Sequence, residues 1–143
     1  MVKDIKKESF DQHINQLSAS LEDYLEAIYW VSREHGVARV SQIADRIAVG
    51  KSSVTAALKL LSEKGYVNYD PYQYISLTGT GEALALDVVW RHDVLKRFFI
   101  EVLGINETLA GETACKMEHH IHREVLDRLL KFVQSVGKEV VKK

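Results

Sequence analysis

The sequence predicts a mainly α-helical protein, and three observations predict it. Two short helical segments are separated by the turn Val49-Gly50, and two alternating segments, 66–69 and 74–77, follow them. From Thr78 onward, apolar residues recur at helical spacing without a proline. This order predicts an N-terminal winged helix-turn-helix with a two-stranded wing, residues 1–77, followed by a helical dimerisation domain, residues 78–143.

Composition limits the class of protein. Of the 143 residues, 46% are hydrophobic and 27% are charged, which is typical of a folded globular chain. The net charge of -1 means that any affinity for nucleic acid must come from a local basic patch. The single cysteine, Cys115, excludes an internal disulfide. No apolar run approaches the ~20 residues of a membrane span, and the charged segment Met1 to Phe10 lacks a signal sequence, so we expect a cytoplasmic protein.

The first helix is expected to begin after Ser18 or Ser20 and to end at Gly36. A short helix with Ser41 as its N-cap follows, and Gly50 suits a turn with positive φ. The next helix is predicted from about Ser52 to Lys64. The apolar side chains expected to form the shared core of these two helices are Ile43, Ile47, Val54, Leu58 and Leu61.

The wing is predicted to turn at 70–73, a segment without lysine or arginine. A long helix is then expected from Thr78 or Thr80 to about Leu103, with a length that favours a connector and dimerisation element. Helices at about 108–120 and 121–136 are expected to follow Gly104, and Gly137 is expected to end the ordered part.

The second helix of a helix-turn-helix enters the major groove, and its N-terminal residues contact the bases. Short hydroxyl side chains at this helix start allow close approach to DNA, and lysines neutralise phosphate charge. The alternative is that the serines are helix caps and the lysines a solvated face; the surrounding helix and hairpin favour DNA binding. The predicted DNA-binding residues are Arg39, Lys51, Ser52, Ser53, Thr55 and Lys59.

Candidate metal ligands occur on three helices. Cys115, Glu118 and His119 lie at i, i+3 and i+4, so one helix face carries a thiolate, a carboxylate and an imidazole. Asp23 and Glu26 lie at i and i+3 on the first helix, roughly opposite its apolar stripe. A solvated or core helix face explains the Cys115 group equally well when it is taken alone. For Asp23 and Glu26 a solvated face is the simpler explanation, although Trp30 on the same line counts against it. A lone histidine beside an apolar stripe, such as His92, is more often a core residue.

Five segments of the sequence carry a family resemblance: Leu21 to Tyr29, Ala38 to Ser41, Ser52 to Thr55, Arg91-His92 and Met117 to His120. Together they resemble the diphtheria-toxin-repressor family, with the compact manganese transport regulators as the most similar branch. The resemblance covers about residues 20 to 135 and implies a winged helix, a helical dimerisation domain, and a metal site where helices of both parts meet.

The resemblance implies a ligand set and a choice of metal. Cys115 departs from the manganese branch, which has glutamate there, whereas the iron branch has cysteine but carries methionine at the position of Asp23. We therefore expect one or two Mn²⁺ or Fe²⁺ ions per subunit, with Glu26 and Glu118 as bridging carboxylates; His122 remains open as an additional ligand. The implied ligands are Asp23, Glu26, His92, Cys115, Glu118 and His119.

The resemblance further implies a metal-dependent DNA-binding repressor that controls metal-uptake genes and binds a pseudopalindromic double-stranded operator as a homodimer. A winged-helix regulator of a small organic ligand is the alternative. A di-iron carboxylate enzyme would need a Glu-x-x-His pair on each of two helices. The sequence lacks such a repeated pair, so we expect no enzymatic activity.

Overall fold

The computed structural model describes residues 17–70 and 74–141. Ser18 is the N-cap of the first helix. Its hydroxyl oxygen accepts a hydrogen bond from the Leu21 N–H over 3.2 Å, and helix α1 spans Ala19–His35. Gly36 ends the helix with a positive φ of 82°, and its N–H donates to the Ser32 carbonyl over 2.8 Å. Both predicted ends of this helix are confirmed.

Helices α2 (Val40–Ile47) and α3 (Lys51–Glu63) form the helix-turn-helix, with two local corrections. Arg39, not Ser41, is the N-cap of α2, because the Gln42 side chain reaches back and accepts the Arg39 N–H over 3.0 Å. The positive φ of the turn, 55°, falls on Ala48, whereas Gly50 is extended and caps α3.

A hairpin follows α3, with strands β1 (Val67–Asn68) and β2 (Ser76–Leu77) paired antiparallel, Val67 opposite Leu77. The strands are shorter than predicted, and an additional bridge joins Ala38 to Ile75. Residues 71–73, most of the predicted wing tip, lie outside the described residues.

One apolar core holds the first unit together. The predicted helix-turn-helix core is confirmed, with Ile47 partly buried and the other four side chains fully buried. Leu25 and Ile28 of α1 and Ile75 of the hairpin complete the core.

Helix α4 (Gly79–Arg97) begins against the hairpin. The Thr78 hydroxyl donates to the Gly65 carbonyl over 2.7 Å and accepts from the Gly81 N–H over 3.1 Å, which fixes the helix start. Gly81 lies directly against the backbone of Tyr66: a Cβ at this position would lie 1.8 Å from the Tyr66 carbonyl oxygen. Only glycine permits this approach.

The second unit departs from the predicted helix bounds. The backbone after α4 widens into a π-helical segment, Phe98–Val102, where a regular helix was expected to continue to Leu103. Helix α5 (Glu107–Met117) ends three residues earlier than predicted. Helix α6 (Arg123–Val141) begins two residues later than predicted and passes through Gly137, which therefore does not end the ordered part.

The chain divides into two compact units, one up to Asp87 and one from Val88 onward. This division falls within α4, whereas the domain boundary placed from the sequence lies at the beginning of α4. The mainly helical class with a two-stranded wing is confirmed. Among the described residues, no helix combines the length and apolar character needed to cross a membrane. The core of the second unit is formed by Val94, Leu95, Phe99, Ala110, Ala114 and Leu126.

Two glycines in the first turn of α4 form a matched pair for a stability test. Gly81→Ala should lower the free energy of unfolding by about 1–3 kcal/mol or more, because the new methyl group collides with backbone. Gly79→Ala should raise it by about 0.5–1 kcal/mol, because a Cβ there meets nothing within 4 Å and alanine favours helix. Urea unfolding of both variants measures the difference; equal effects would contradict the close approach to Tyr66.

Candidate metal centre and nucleic-acid interface

Two helices of the second unit carry the candidate ligands. His92 lies on α4, Cys115 lies in the last turn of α5, and Glu118 is the C-cap of α5. Glu118 keeps helical backbone angles, and its N–H donates to the Ala114 carbonyl over 2.9 Å. The spacing inferred from the sequence therefore holds for Cys115 and Glu118, although the regular helix ends at Met117.

The donor atoms of three predicted ligands converge. One ligand atom each of His92, Cys115 and Glu118 lies within 4.8 Å of the others. His92 Nδ1 lies 2.8 Å from Glu118 Oε2 and 3.6 Å from Cys115 Sγ. Cys115 is exposed, His92 is half-buried, and the Glu118 side chain is only 1% exposed. The cluster thus runs from the surface to a buried carboxylate.

His119 contacts the second oxygen of the same carboxylate. Its Nε2 lies 3.5 Å from Glu118 Oε1, and its side chain is only 7% exposed. The Glu118 carboxylate consequently lies between two imidazole rings. All four predicted ligands of the second unit are brought into one neighbourhood by the end of α5 and by one residue of α4.

Arg91 is a residue of this site that the sequence analysis named only as part of the resemblance, without a role in the site. Its buried guanidinium donates from Nη1 to the Glu118 carbonyl oxygen over 2.8 Å. An arginine that binds a carbonyl at a helix C-terminus stabilises the helix end. Only its place beside His92 in the sequence gave any signal, because the periodicity of α4 does not distinguish a buried arginine from an exposed one.

The chemistry of the donor set suits a divalent transition ion. An imidazole, a thiol and a carboxylate provide nitrogen, sulfur and oxygen donors, which first-row metals bind and which Mg²⁺ and Ca²⁺ do not select. Convergence within 4.8 Å shows that the side chains need no rearrangement of helices to reach a common ion. The residues present therefore fit a metal centre.

The remaining predicted ligands belong to the first unit. Asp23 and Glu26 lie on α1, with Asp23 exposed and Glu26 half-buried. Trp30, on the same line of the helix, is also half-buried, and its ring meets the Tyr29 ring edge-on at 5.1 Å between centroids. His122 of the second unit is exposed and is not part of the three-residue group.

The predicted DNA-contact side chains lie on the surface of the first unit. Gly50 caps α3, so the hydroxyl residues and Lys51 occupy the first turns of the recognition helix. The Thr55 hydroxyl donates to the Lys51 carbonyl over 3.0 Å, which leaves its oxygen as an acceptor. Lys59 is exposed two turns after Lys51, and Ser52 and Ser53 are exposed directly after Lys51.

Arg39 and Arg46, two arginines of the first unit, contact different kinds of partner. The Arg39 guanidinium lies over the Tyr74 ring, 5.1 Å from its centroid. Arg46 forms an exposed ion pair with Glu34, with 3.0 Å between Nη1 and Oε1. The pair partly offsets the charge of Arg46, and the predicted DNA contacts with positive charge are Arg39, Lys51 and Lys59.

Comparison with known proteins defines the class of this protein. Residues 16–75 match the family model described as iron dependent repressor, N-terminal DNA binding domain. Residues 78–139 match the model described as iron dependent repressor, metal binding and dimerisation domain. The two matches together define a metal-dependent DNA-binding transcriptional regulator.

Individual relatives agree with this class. The chain is 38% identical over 125 residues to a helix-turn-helix-type transcriptional regulator of Methanocaldococcus jannaschii, covering 87% of this chain and 100% of the relative. It is 37% identical over 115 residues to the helix-turn-helix-type transcriptional regulator MntR of Shouchella clausii, covering 80% of each. The chain therefore belongs to the diphtheria-toxin-repressor family, whose members are DNA-binding regulators and not enzymes.

Solved structures show the same fold. The manganese regulator SloR matches with a TM-score of 0.70 and 28% identity, over 80% of this chain and 53% of that protein. A manganese-dependent transcriptional repressor in complex with manganese matches with a TM-score of 0.73 and 27% identity, over 80% of this chain and 52% of that protein. The chain thus spans about half the length of these solved relatives.

Metal affinity should depend on pH. The 2.8 Å contact between His92 Nδ1 and Glu118 Oε2 is a hydrogen bond, and a metal ion that used both atoms would have to displace its proton. Because ligands bind metal in their deprotonated forms, Co²⁺ affinity should rise between about pH 6 and pH 8. Chelator competition at several pH values measures it. An affinity that stays constant over this interval would show that these atoms do not bind the ion.

Proposed function

We propose that this protein is a homodimeric repressor that binds a pseudopalindromic DNA site when Mn²⁺ or Fe²⁺ is bound, and that it controls metal-uptake genes. The observation that supports the proposal most is the convergence of His92, Cys115 and Glu118 within 4.8 Å. The same chain carries a helix-turn-helix with exposed hydroxyl and lysine side chains at the start of α3.

The proposed ligand set has two parts. His92, Cys115, Glu118 and His119 come from the second unit, and their mutual distances support this part. Asp23 and Glu26 are added because they occupy the first-helix ligand positions of the family pattern. In this proposal Glu26 and Glu118 are the carboxylates that bridge two ions.

The residues perform three tasks in the proposed mechanism. Glu118 and His119 hold the C-terminal end of α5, His92 joins that end to α4, and Arg91 fixes the Glu118 carbonyl from α4. A bound divalent ion supplies positive charge that neutralises the converging thiolate and carboxylate. The recognition helices of the dimer then keep one separation, so less ordering entropy is lost when DNA binds.

The donors and the relatives support a choice of metal. A carboxylate at Asp23 favours the hard ion Mn²⁺, whereas the thiolate of Cys115 favours Fe²⁺, Co²⁺ or Zn²⁺. SloR is described as a manganese regulator, and a second solved relative contains manganese. We place Mn²⁺ first and Fe²⁺ second, with one or two ions per subunit.

Exposed apolar side chains of the second unit support the dimer. Exposed apolar side chains are unfavourable in water, and a protein interface would bury them. A second copy of the chain is the proposed occupant, because the matching family model is described as a dimerisation domain. These side chains are Ile100, Leu103, Leu109, Val125 and Phe132.

Glu118→Gln tests the proposal. The change preserves the size of a buried side chain but removes its charge, so Mn²⁺ affinity should fall by about a hundredfold and metal-dependent DNA binding should be lost with it. The DNA is a duplex selected from a random library by the wild type with Mn²⁺. Glu112→Gln is the matched control, because Glu112 is an exposed residue of the same helix.

The outcomes separate the proposal from its rival. DNA binding by the wild type that is equally strong after chelation would contradict metal dependence and would favour a sensor of an organic ligand. Loss of metal affinity in the Glu112→Gln control would show that the effect belongs to the helix and not to the site.

Cys115→Glu tests the role of the thiolate in metal choice. The change replaces a soft donor by a hard one, so the ratio of Mn²⁺ to Co²⁺ affinity should rise by about tenfold. The sulfur-to-cobalt charge-transfer absorption in the near ultraviolet should appear in the wild type and vanish in the variant. A wild-type Co²⁺ complex without this band would remove Cys115 from the ligand set. Anaerobic conditions prevent oxidation of the exposed thiol.

A further inference from the structure

Arg39 and Tyr74 form a two-point contact on the surface of the first unit. The Arg39 guanidinium carbon lies 5.1 Å from the centre of the Tyr74 ring, and Nη2 donates to the Tyr74 hydroxyl oxygen over 3.3 Å. Tyr74 is 56% exposed, so burial in the core does not explain the position of its ring. The contact joins residues 35 positions apart in the sequence.

The backbone beneath this contact is also fixed on both sides. The Ile75 N–H donates to the Ala38 carbonyl over 2.9 Å, which joins the residue after Tyr74 to the residue before Arg39. The Arg39 N–H donates to Gln42 Oε1 over 3.0 Å as α2 begins. Arg39 is therefore held at its backbone and at its guanidinium, and both ends of a long flexible side chain are restrained.

Restraint matters for an arginine that binds phosphate. A free arginine side chain loses rotamer freedom when it binds, whereas one already held in place loses less. The hydrogen bond to the Tyr74 hydroxyl uses one of the five N–H donors of the guanidinium. The other donors retain the fork geometry that matches a phosphate.

We propose that Tyr74 is a positioning residue of the DNA interface, which holds the Arg39 guanidinium in place to bind one phosphate of the DNA backbone. Arg39 caps α2, the helix that crosses the DNA backbone in a helix-turn-helix complex. The inference rests on the proposed function and deepens it, since it assigns a task to a wing residue outside the predicted contact set.

A double-mutant cycle on the Mn²⁺-loaded dimer and its selected duplex tests this role. Arg39→Ala should weaken DNA binding by about tenfold and reduce the slope of log affinity against log salt by about one. Tyr74→Ala should weaken binding by about two- to fivefold, and Tyr74→Phe, which keeps the ring, should weaken it less. In the Arg39→Ala background, Tyr74→Ala should have no further effect.

Arg33 and Tyr29 provide a matched control with the same chemistry on α1. Arg33 Nη1 donates to the Tyr29 hydroxyl oxygen over 3.1 Å, and its guanidinium carbon lies 5.4 Å from the ring centre. Tyr29→Phe and Arg33→Ala should leave DNA affinity and its salt slope unchanged.

Three outcomes would overturn the inference. Additive effects of Arg39→Ala and Tyr74→Ala would show that Tyr74 acts independently of Arg39. An unchanged affinity in Tyr74→Ala would show that Arg39 needs no positioning. Absence of any metal-dependent DNA binding by the wild type would overturn the proposed function and this inference together, whereas the first two outcomes leave the proposed function intact.

Discussion

The buried carboxylate of Glu118 is the constraint on which the second unit depends. A carboxylate that is 1% exposed has lost its hydration, and it is tolerated only with polar or charged partners at close range. Its two oxygens face the imidazoles of His92 and His119, and the carbonyl of the same residue accepts from Arg91. The contacts with α4 require α4 and α5 to keep one register, because a shift by one residue would remove both His92 and Arg91 from reach.

The packing of α5 explains how this register is maintained. Ala110 and Ala114 are fully buried, and Ala110, Ala114 and Glu118 follow one another at four-residue spacing. One stripe of α5 therefore provides the apolar contacts and, at its end, the candidate metal-ligand carboxylate. Small side chains allow the neighbouring helices to approach closely. The helix ends at Met117, and the turn after it gives His119 access to the carboxylate from another direction than His92.

Periodicity and spacing predicted most of the fold and part of the site. The stripe of α1, the shared core of α2 and α3, and the i, i+3 relation of Cys115 and Glu118 follow from local sequence alone. The end of α5, the π-helical segment and the cap at Arg39 depend on tertiary packing or on the reach of one particular side chain, which a pattern does not encode. The buried Arg91 contacts Glu118, and Arg39 contacts Tyr74. Each contact joins residues that are distant in sequence, and no spacing rule predicts such a pair.

Under the proposed function, the charge distribution explains why the separation of the two DNA-reading units can control DNA affinity. The chain has a net charge of -1, and in the described part of the first unit Arg46 is paired with Glu34, so the predicted DNA contacts rely on three cations, Arg39, Lys51 and Lys59. A small number of phosphate contacts gives one reading unit weak affinity at physiological salt. Strong binding then requires two units that engage adjacent major grooves together, which depends on their separation. Under the proposed function, a metal that fixed this separation would regulate binding without touching DNA, and a positioned Arg39 would strengthen one of the few phosphate contacts.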